Sequence, residues 1–321
     1  MKYNIYCEDC VSGSKIHLDD NSTDLMICDP PFGINESSFD NHYKRKKSKI
    51  IDGYIEAPSD YYEFTYDWLL EANRTLKKNG SLYLISGWTN LNDVLNALND
   101  VGFVIRNHII WKFNFGVYTK IKYVSSHYHI LYAVKYKNAA PTFNKFCRFG
   151  PTEKNNNNKS LNYMDLEDVW YIKKEYHQGK RRNKNKLPDE LVRKIILYSS
   201  NENDVVCDFF MGNFTTAFNA IKLGRIPTGF ELNKECYGYF IDDLDKIEFG
   251  KDLSELKSVE INMPINQGKR ITEDVRESIF NDYNSLIKLL TKKETIIKLG
   301  KKYGRGKFSI INIIDGFKNE N

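Results

Sequence analysis

Residues 204–232 read DVVCDFFMGNFTTAFNAIKLGRIPTGFEL, and the order of residue types in this stretch decides the kind of fold. The apolar run over 204–210 predicts a buried strand. Residues 211–214 predict a tight loop around Gly212, where backbone can approach a ligand closely. A helix is expected over 215–223 and a further strand over 226–232. Strand, glycine turn, helix and strand form a βαβ unit, which implies a parallel sheet covered by helices. Glu231 stands 19 positions after Gly212, where the acidic residue of a nucleoside-binding unit bonds ribose hydroxyls. No second glycine follows Gly212, so the phosphate-cradling G-x-G-x-x-G pattern is missing and the turn suits a nucleoside without phosphates.

Upstream, residues 3–6 and 24–28 predict two more strands, the second stopped by Asp29-Pro30-Pro31-Phe32. The carboxyl end of a strand is where open α/β sheets bind ligands. Two prolines fix the backbone there and present a carboxylate, free carbonyls and an aromatic face, a set that can grip a planar ring bearing an amine. Cys7 to Cys10 reads as the end of a strand-like run. Its C-x-x-C spacing has no second pair to complete a zinc site, so neither a metal nor a redox role is expected.

Between these two stretches strands and helices alternate. Helices are expected over 61–78, ending at Asn79-Gly80, and over 91–101, closed by Gly102. Strands are expected over 81–86, 103–113 and 128–136. Residues 137–187 break the pattern with a polar Asn155 to Asn158 tract and crowded basic residues, and are taken as an insertion. A helix over 188–200 begins at Pro188, where the missing N–H costs nothing. Residues 1–260 thus form one domain, and 261–321 a separate helical tail.

The 321 residues include 41% hydrophobic and 14% aromatic residues, which excludes a disordered chain, and the lack of a long apolar run excludes a membrane span. Met1 to Asp9 lacks the order of a secretory signal, so a cytoplasmic address is expected. Net charge is only +5. Basic residues cluster in 44–49, 173–186 and 292–307, which suits a polyanion if they share a face. His127, His129 and His177 read as structural or surface residues.

Taken together, these motifs resemble the DNA amino-methyltransferases of the β order, in which a D-P-P-[YFW] motif precedes an F-x-G-x-G motif. The resemblance implies a Rossmann-like α/β fold, with a mostly parallel sheet, one antiparallel strand and a circularly permuted motif order. It implies S-adenosylmethionine as cofactor and methyl transfer to the N6 amine of adenine in double-stranded DNA, with the base extruded from the helix. Asp29, Pro30, Pro31 and Phe32 match the catalytic motif, and Asp29 favours adenine because the family's cytosine-N4 members mostly carry serine there. Asp9, with Cys10 beside it, matches the acid that bonds the cofactor's adenine. Lys186, Leu187 and Pro188 resemble the K-P-x-x-L cofactor segment. Asp208, Phe210, Gly212, Asn213, Phe214, Thr215 and Thr216 match the first cofactor motif, with Asn213-Phe214 where the family usually has Ser-Gly, and Glu231 with Leu232 matches the ribose acid.

The resemblance further assigns DNA contact to Lys44, Arg45, Lys46 and Lys47, and to Arg148, Lys180, Arg181 and Arg182 of the inserted target-recognition region. It admits a homodimer and a cognate restriction endonuclease as partners. Cytosine-N4 methylation, RNA methylation and a catalytically silent DNA-binding regulator are the alternatives, the last because Phe214 would close the glycine loop. In the tail, Gly300, Gly304 and the apolar Ile310, Ile313 and Ile314 resemble a helix-turn-helix from which Arg305 departs. A plain amphipathic pair is the other reading.

Overall fold

The computed structural model describes residues 3–33, 57–116, 118, 120–175, 186–253 and 271–319. Two compact units divide the chain, Met1–Val259 and Glu260–Asn321. The first contains, in order, β1 (Asn4–Tyr6), α1 (Cys10–His17), β2 (Thr23–Cys28), α2 (Tyr61–Thr75), β3 (Leu76–Ser86), α3 (Leu91–Val101), β4 (Val104–Lys112), β5 (His127–Val134), α4 (Leu161–Asp165), β6 (Val169–Tyr171), α5 (Asp189–Ser199), β7 (Val205–Asp208), α6 (Thr215–Lys222), β8 (Ile226–Phe230) and α7 (Lys234–Leu244).

The eight strands form one sheet in the order β1-β8-β7-β2-β3-β5-β4-β6. Every neighbouring pair is parallel except those of β5, which runs antiparallel to both β3 and β4. The expected α/β architecture with one antiparallel strand is therefore present. Alternation along β2 divides the core. Leu25 and Ile27 join Ile85, Ile130, Leu191, Ile195 and Val206 on the α5 face. Met26 and Cys28 join Trp68, Leu69, Leu84, Leu98 and Leu131 on the α2 and α3 face. Each fully buried aliphatic side chain contributes about 1.5–3 kcal/mol, so these two layers hold the sheet in place.

The structure corrects several boundaries. The helix expected over 61–78 stops at Thr75, and Asn79-Gly80 lies inside β3 instead of capping a helix. Pairing explains the difference: Leu76 faces Thr23 across the sheet, and Lys77 Nζ bonds both Asp24 carboxylate oxygens at 2.8 Å. Two helices lie outside the expected elements, α1 from Cys10 and α7 from Lys234. Asp9 caps α1, its Oδ1 accepting the amides of Val11 and Ser12. All six cysteines are free thiols. Pro188 is the residue before α5 and not its first. Residues 137–187 are not purely irregular, for they supply α4 and the edge strand β6.

The second unit holds α8 (Glu273–Leu286), α9 (Lys292–Tyr303) and α10 (Lys307–Asn319) around Ile279, Tyr283, Ile296, Leu299, Ile310, Ile313 and Ile314. Thr291 and Glu294 form a reciprocal capping box at the start of α9. No helix among the described residues is long and apolar enough to cross a membrane.

Candidate active site

Asp29 follows β2 and Asp208 ends β7, and these two strands are neighbours, Leu25 facing Val206 and Met26 facing Cys207. The chain leaves β2 toward β3 on one side of the sheet, while β7 leads to β8 on the other. The two acids therefore stand at a topological switch point.

The turn after Asp29 is held from both flanks. Tyr61 Oη donates to the Pro31 carbonyl at 3.0 Å, and Asn90 Nδ2 to the Phe32 carbonyl at 2.7 Å. Gly33 closes the turn with φ +65°, where a Cβ would lie 2.7 Å from the Tyr61 ring and 2.8 Å from Asn90 Nδ2, so no other residue fits without rearrangement. The Phe32 ring meets Tyr128 edge-on at 5.2 Å and lies over Gly87. Tyr61, Gly87, Asn90 and Tyr128 were not among the residues the sequence singled out for this site. They belong to α2, α3's N-terminal flank, the end of β3 and β5, and only the fold brings them to residue 32.

Electrostatics sets Asp29 apart. Desolvation by the surrounding protein and the nearby Asp208 carboxylate raise its pKa to about 8, although part of the side chain still meets solvent. Lys174 acts in the opposite direction. Its ammonium lies 4.2 Å from the Phe113 ring centre and 4.5 Å from that of Tyr128, and donates to Tyr128 Oη at 3.3 Å. A cation from the segment after β6 thus shares an aromatic box with the ring that flanks Phe32. By sequence Lys174 belongs to the basic cluster 173–186, which suits a polyanion.

The second half of the site is a network around the glycine loop. Asp208 Oδ2 accepts the Thr216 hydroxyl at 2.6 Å and Oδ1 accepts the Phe210 amide at 2.9 Å, while burial pushes this acid up to about 7. Glu231 accepts the Gly212 amide at 2.6 Å through Oε2 and the Asn233 amide at 2.7 Å through Oε1. Burial raises its pKa, and the two amides oppose the rise. The loop after β7 is thereby tied to the end of β8. Phe210 packs edge-on against Trp68 at 5.3 Å.

Phe214 does not close the loop. It takes a left-handed conformation, φ 57°, just before α6, and its fully buried ring joins Ile5, Met211, Ala217, Ile221 and Leu244, 5.8 Å from the Phe240 ring. Asn213 is buried, and Thr215 Oγ1 is buried with no hydrogen-bond partner among the described residues.

The remaining expected residues divide. Asp9 is exposed and serves as the cap described above, with buried Cys10 behind it. Leu187 is buried in the α5-side core. Lys186 ion-pairs with Glu175 and Asp189, and Glu175 in turn accepts the Asp189 amide at the start of α5. Leu232 is exposed. Arg148, expected at the DNA, pairs with Asp165 at 3.3 Å and Glu190 at 3.7 Å. Asp165 also accepts from Lys194 and Tyr198, so these contacts fasten Arg148 and the end of α4 to α5. Lys44, Arg45, Lys46, Lys47, Lys180, Arg181, Arg182 and His177 lie outside the described residues. His129 sits on β5, 2.7 Å from His108. Among the described residues, no group of three or more His, Cys, Asp or Glu side chains is arranged to hold a metal ion.

A family model described as DNA methylase matches residues 23–241, which span both halves of this site. The chain belongs to the DNA methylase family. Among its curated relatives, the DNA adenine methyltransferase YhdJ of Escherichia coli K12 is 31% identical over 235 residues, covering 67% of this chain and 73% of YhdJ. The type II methyltransferase M.HpaI of Haemophilus parainfluenzae is 28% identical over 240 residues, 73% of this chain and 72% of M.HpaI. Among solved structures, the complex of M1.HpyAVI with S-adenosylmethionine superposes with a TM-score of 0.54 at 22% identity, over 76% of this chain and 99% of that one. The methylase fold therefore extends over most of the first unit.

Proposed function

We propose that this DNA methylase transfers the methyl group of S-adenosylmethionine to the N6 amine of adenine in double-stranded DNA, as a site-specific enzyme of a type II modification system. The observation that carries the reading is the adjacency of Asp29 and Asp208 at the switch point, one acid in a rigid D-P-P-F turn and the other in a glycine-loop network. The names of YhdJ and M.HpaI support adenine and the type II setting.

The loop half suits the cofactor. Gly212 leaves open space where a Cβ would otherwise stand, with only the Phe210 carbonyl within 4 Å. Buried Thr215 Oγ1 still lacks a partner among the described residues, and Glu231 offers a carboxylate beside the loop. The Gly212 turn, Phe210, Thr215, Glu231 and Asp9 would hold the nucleoside and amino-acid portions. When bound, the cofactor supplies a methyl group on a sulfonium.

The chain's own residues prepare the amine. An aromatic amine is a weak nucleophile because its lone pair is delocalised into the ring. Asp29 Oδ and the Pro30 carbonyl accept its two hydrogens, which draws the nitrogen toward tetrahedral geometry and frees the lone pair. Phe32 stacks on the base, whose extrusion from the duplex costs a few kcal/mol. Once methylated, the amine would give up one proton, which Asp29 can hold before release to solvent. The held turn supplies most of the rate through orientation. Residues 137–187 act as the target-recognition region, and the enzyme works in the cytoplasm, with a homodimer and a cognate endonuclease as its expected partners.

Incubation with unmethylated DNA and isotope-labelled S-adenosylmethionine, followed by digestion to nucleosides, tests the reading. Label in N6-methyladenine is the expected result. Label in N4-methylcytosine would overturn the base assignment, and no label despite folded protein and bound DNA would overturn the activity.

A further inference from the structure

The second unit takes no part in the chemistry above, yet its helices are arranged for more than packing. Three residues, Gly304, Arg305 and Gly306, join α9 to α10. Gly304 adopts the left-handed conformation, φ 59° and ψ 41°, and its N–H turns back to the carbonyls of Gly300 and Lys301. A Cβ on Gly300 would come within 2.9 Å of the Arg305 carbonyl, so the turn folds onto α9 only because that position is bare. Arg305 N donates to the Gly300 carbonyl at 2.9 Å, and Arg305 itself is buried, filling the place where an apolar residue was expected. Ile310, Ile313 and Ile314 of α10 lock against Ile296 and Leu299 of α9 and Ile279 and Tyr283 of α8.

What α10 leaves outside is equally specific. Lys307, Phe308 and Asn312 are exposed on its first two turns, and Phe308 remains 77% accessible although it is a large apolar side chain. Charge is sorted by helix. Residues 292–319 carry eight lysines and arginines against two acids, whereas residues 273–286 of α8 carry four acids against one arginine. Lys302 spends part of that excess on Asp282 of α8, whereas Lys292, Lys293, Lys298, Lys301 and Lys307 are exposed and suit a polyanion lying along α9 and α10.

We propose that α9, the Gly304 turn and α10 form a helix-turn-helix that sets the start of α10 in the major groove of the substrate duplex. In this geometry the second helix of the pair presents its first residues to base edges while the first helix crosses the backbone. Asn312 suits the N6 and N7 edge of an adenine, Phe308 a thymine methyl group, and Lys307 with the exposed lysines of α9 the phosphates. The inference rests on DNA being the substrate, and it adds a contact with the duplex outside the catalytic unit.

The test uses the full chain carrying Lys307→Ala, Phe308→Ala and Asn312→Ala together, all at exposed positions. The probe is a duplex on which the wild-type protein transfers label. Fluorescence anisotropy should show a Kd raised tenfold or more, and a salt dependence shallower by about one unit of log–log slope for the lost lysine. Cofactor affinity, and kcat at saturating DNA, should be unchanged. A single Lys307→Glu variant probes the same surface if the triple variant melts early. Unaltered DNA affinity in a folded variant would overturn the inference, as would a change in sedimentation mass with DNA affinity preserved, which would mark the surface as a dimer contact. Wild-type protein that neither binds DNA nor transfers label would sink the proposed function and this inference with it. Wild-type activity alongside an unaffected variant would sink this inference alone.

Discussion

Lys174 holds its ammonium 4.2 Å from the centre of the Phe113 ring, and from that position it is the positive charge that opposes the rise of Asp29's pKa. The groups acting on Asp29 lie on different elements: Asp208 at the end of β7 raises it, while Lys174, beyond β6, lowers it. An ionised carboxylate is the better acceptor for the amine hydrogens, so kcat/KM should climb with pH through the region near 8. Lys174→Met should carry that limb to higher pH. The variant should lose about tenfold or more at pH 7 and recover toward pH 10, with Lys174→Arg close to wild type. A pH–rate profile unmoved by the methionine would separate Lys174 from the chemistry.

Asp29 also makes stability depend on pH. Its pKa is raised from an ordinary carboxyl value of 3.8 to about 8 on folding. The folded protein therefore holds a proton that the unfolded chain gives up, and stability falls as pH rises between those values. Asp29→Asn removes that cost. The variant should melt at nearly the wild-type temperature at pH 4, and progressively higher than wild type up to pH 8. It should at the same time lose methyl transfer and keep cofactor binding. A melting difference independent of pH would show that Asp29 is not desolvated in the folded chain.

Glu231 ties Gly212 to the end of β8 through a charge-assisted hydrogen bond of 2.6 Å. Glutamine has one acceptor oxygen for the two amides that Glu231 serves. Loss of one such bond costs about 1.5–3 kcal/mol, some of it in the order of the loop. Calorimetric titration of Glu231→Gln should show S-adenosylmethionine binding at least about tenfold weaker, equivalent to about 1.4 kcal/mol. Wild-type affinity would mean that the loop keeps its shape without the carboxylate.

Phe214 decides between an open and a closed pocket. Its ring fills a cluster with Ile5, Met211 and Leu244, so Phe214→Ala should cost about 3–5 kcal/mol in urea unfolding. Cofactor affinity, measured below the unfolding transition, should change by less than threefold. A large gain in affinity would instead place the ring in the cofactor's path.

The strands that carry the site were legible because each is a short apolar run cut off by a strong signal: Pro30 after β2, and Gly212 after β7. Asp29 was legible from the proline stop and Glu231 from its spacing to Gly212, while Asp208 came only with the family resemblance. Leu76 was harder to place, for residues 76–80 look like the tail of α2 until their pairing with Thr23 and Asp24 is known. Helix α1 was hidden because it buries Cys10, Gly13 and Ser14, which form no apolar stripe to read. Tyr61, Asn90 and Tyr128 had no local signal, and the basic run around Lys174 pointed to DNA and not to Asp29. Their contribution depends on which strands become neighbours, which no short window of sequence contains. For Arg148 the composition pointed to DNA, but the acids that claim it, Asp165 and Glu190, stand 17 and 42 positions later.

The pairing of β2 with β7 joins residues about 180 positions apart, and β1 meets β8 across still more of the chain. During synthesis the ribosome therefore releases the D-P-P-F turn long before the strand that completes its surroundings exists. A nascent or truncated chain ending before Val205 leaves the inner edge of β2 open, a row of unpaired amides and carbonyls flanked by Leu25, Met26 and Ile27. Such an edge invites pairing with another chain. This methylase can become a catalyst only near the end of its first unit, and cleavage products that stop short of β7 should collect as insoluble material instead of persisting as weakly active enzyme.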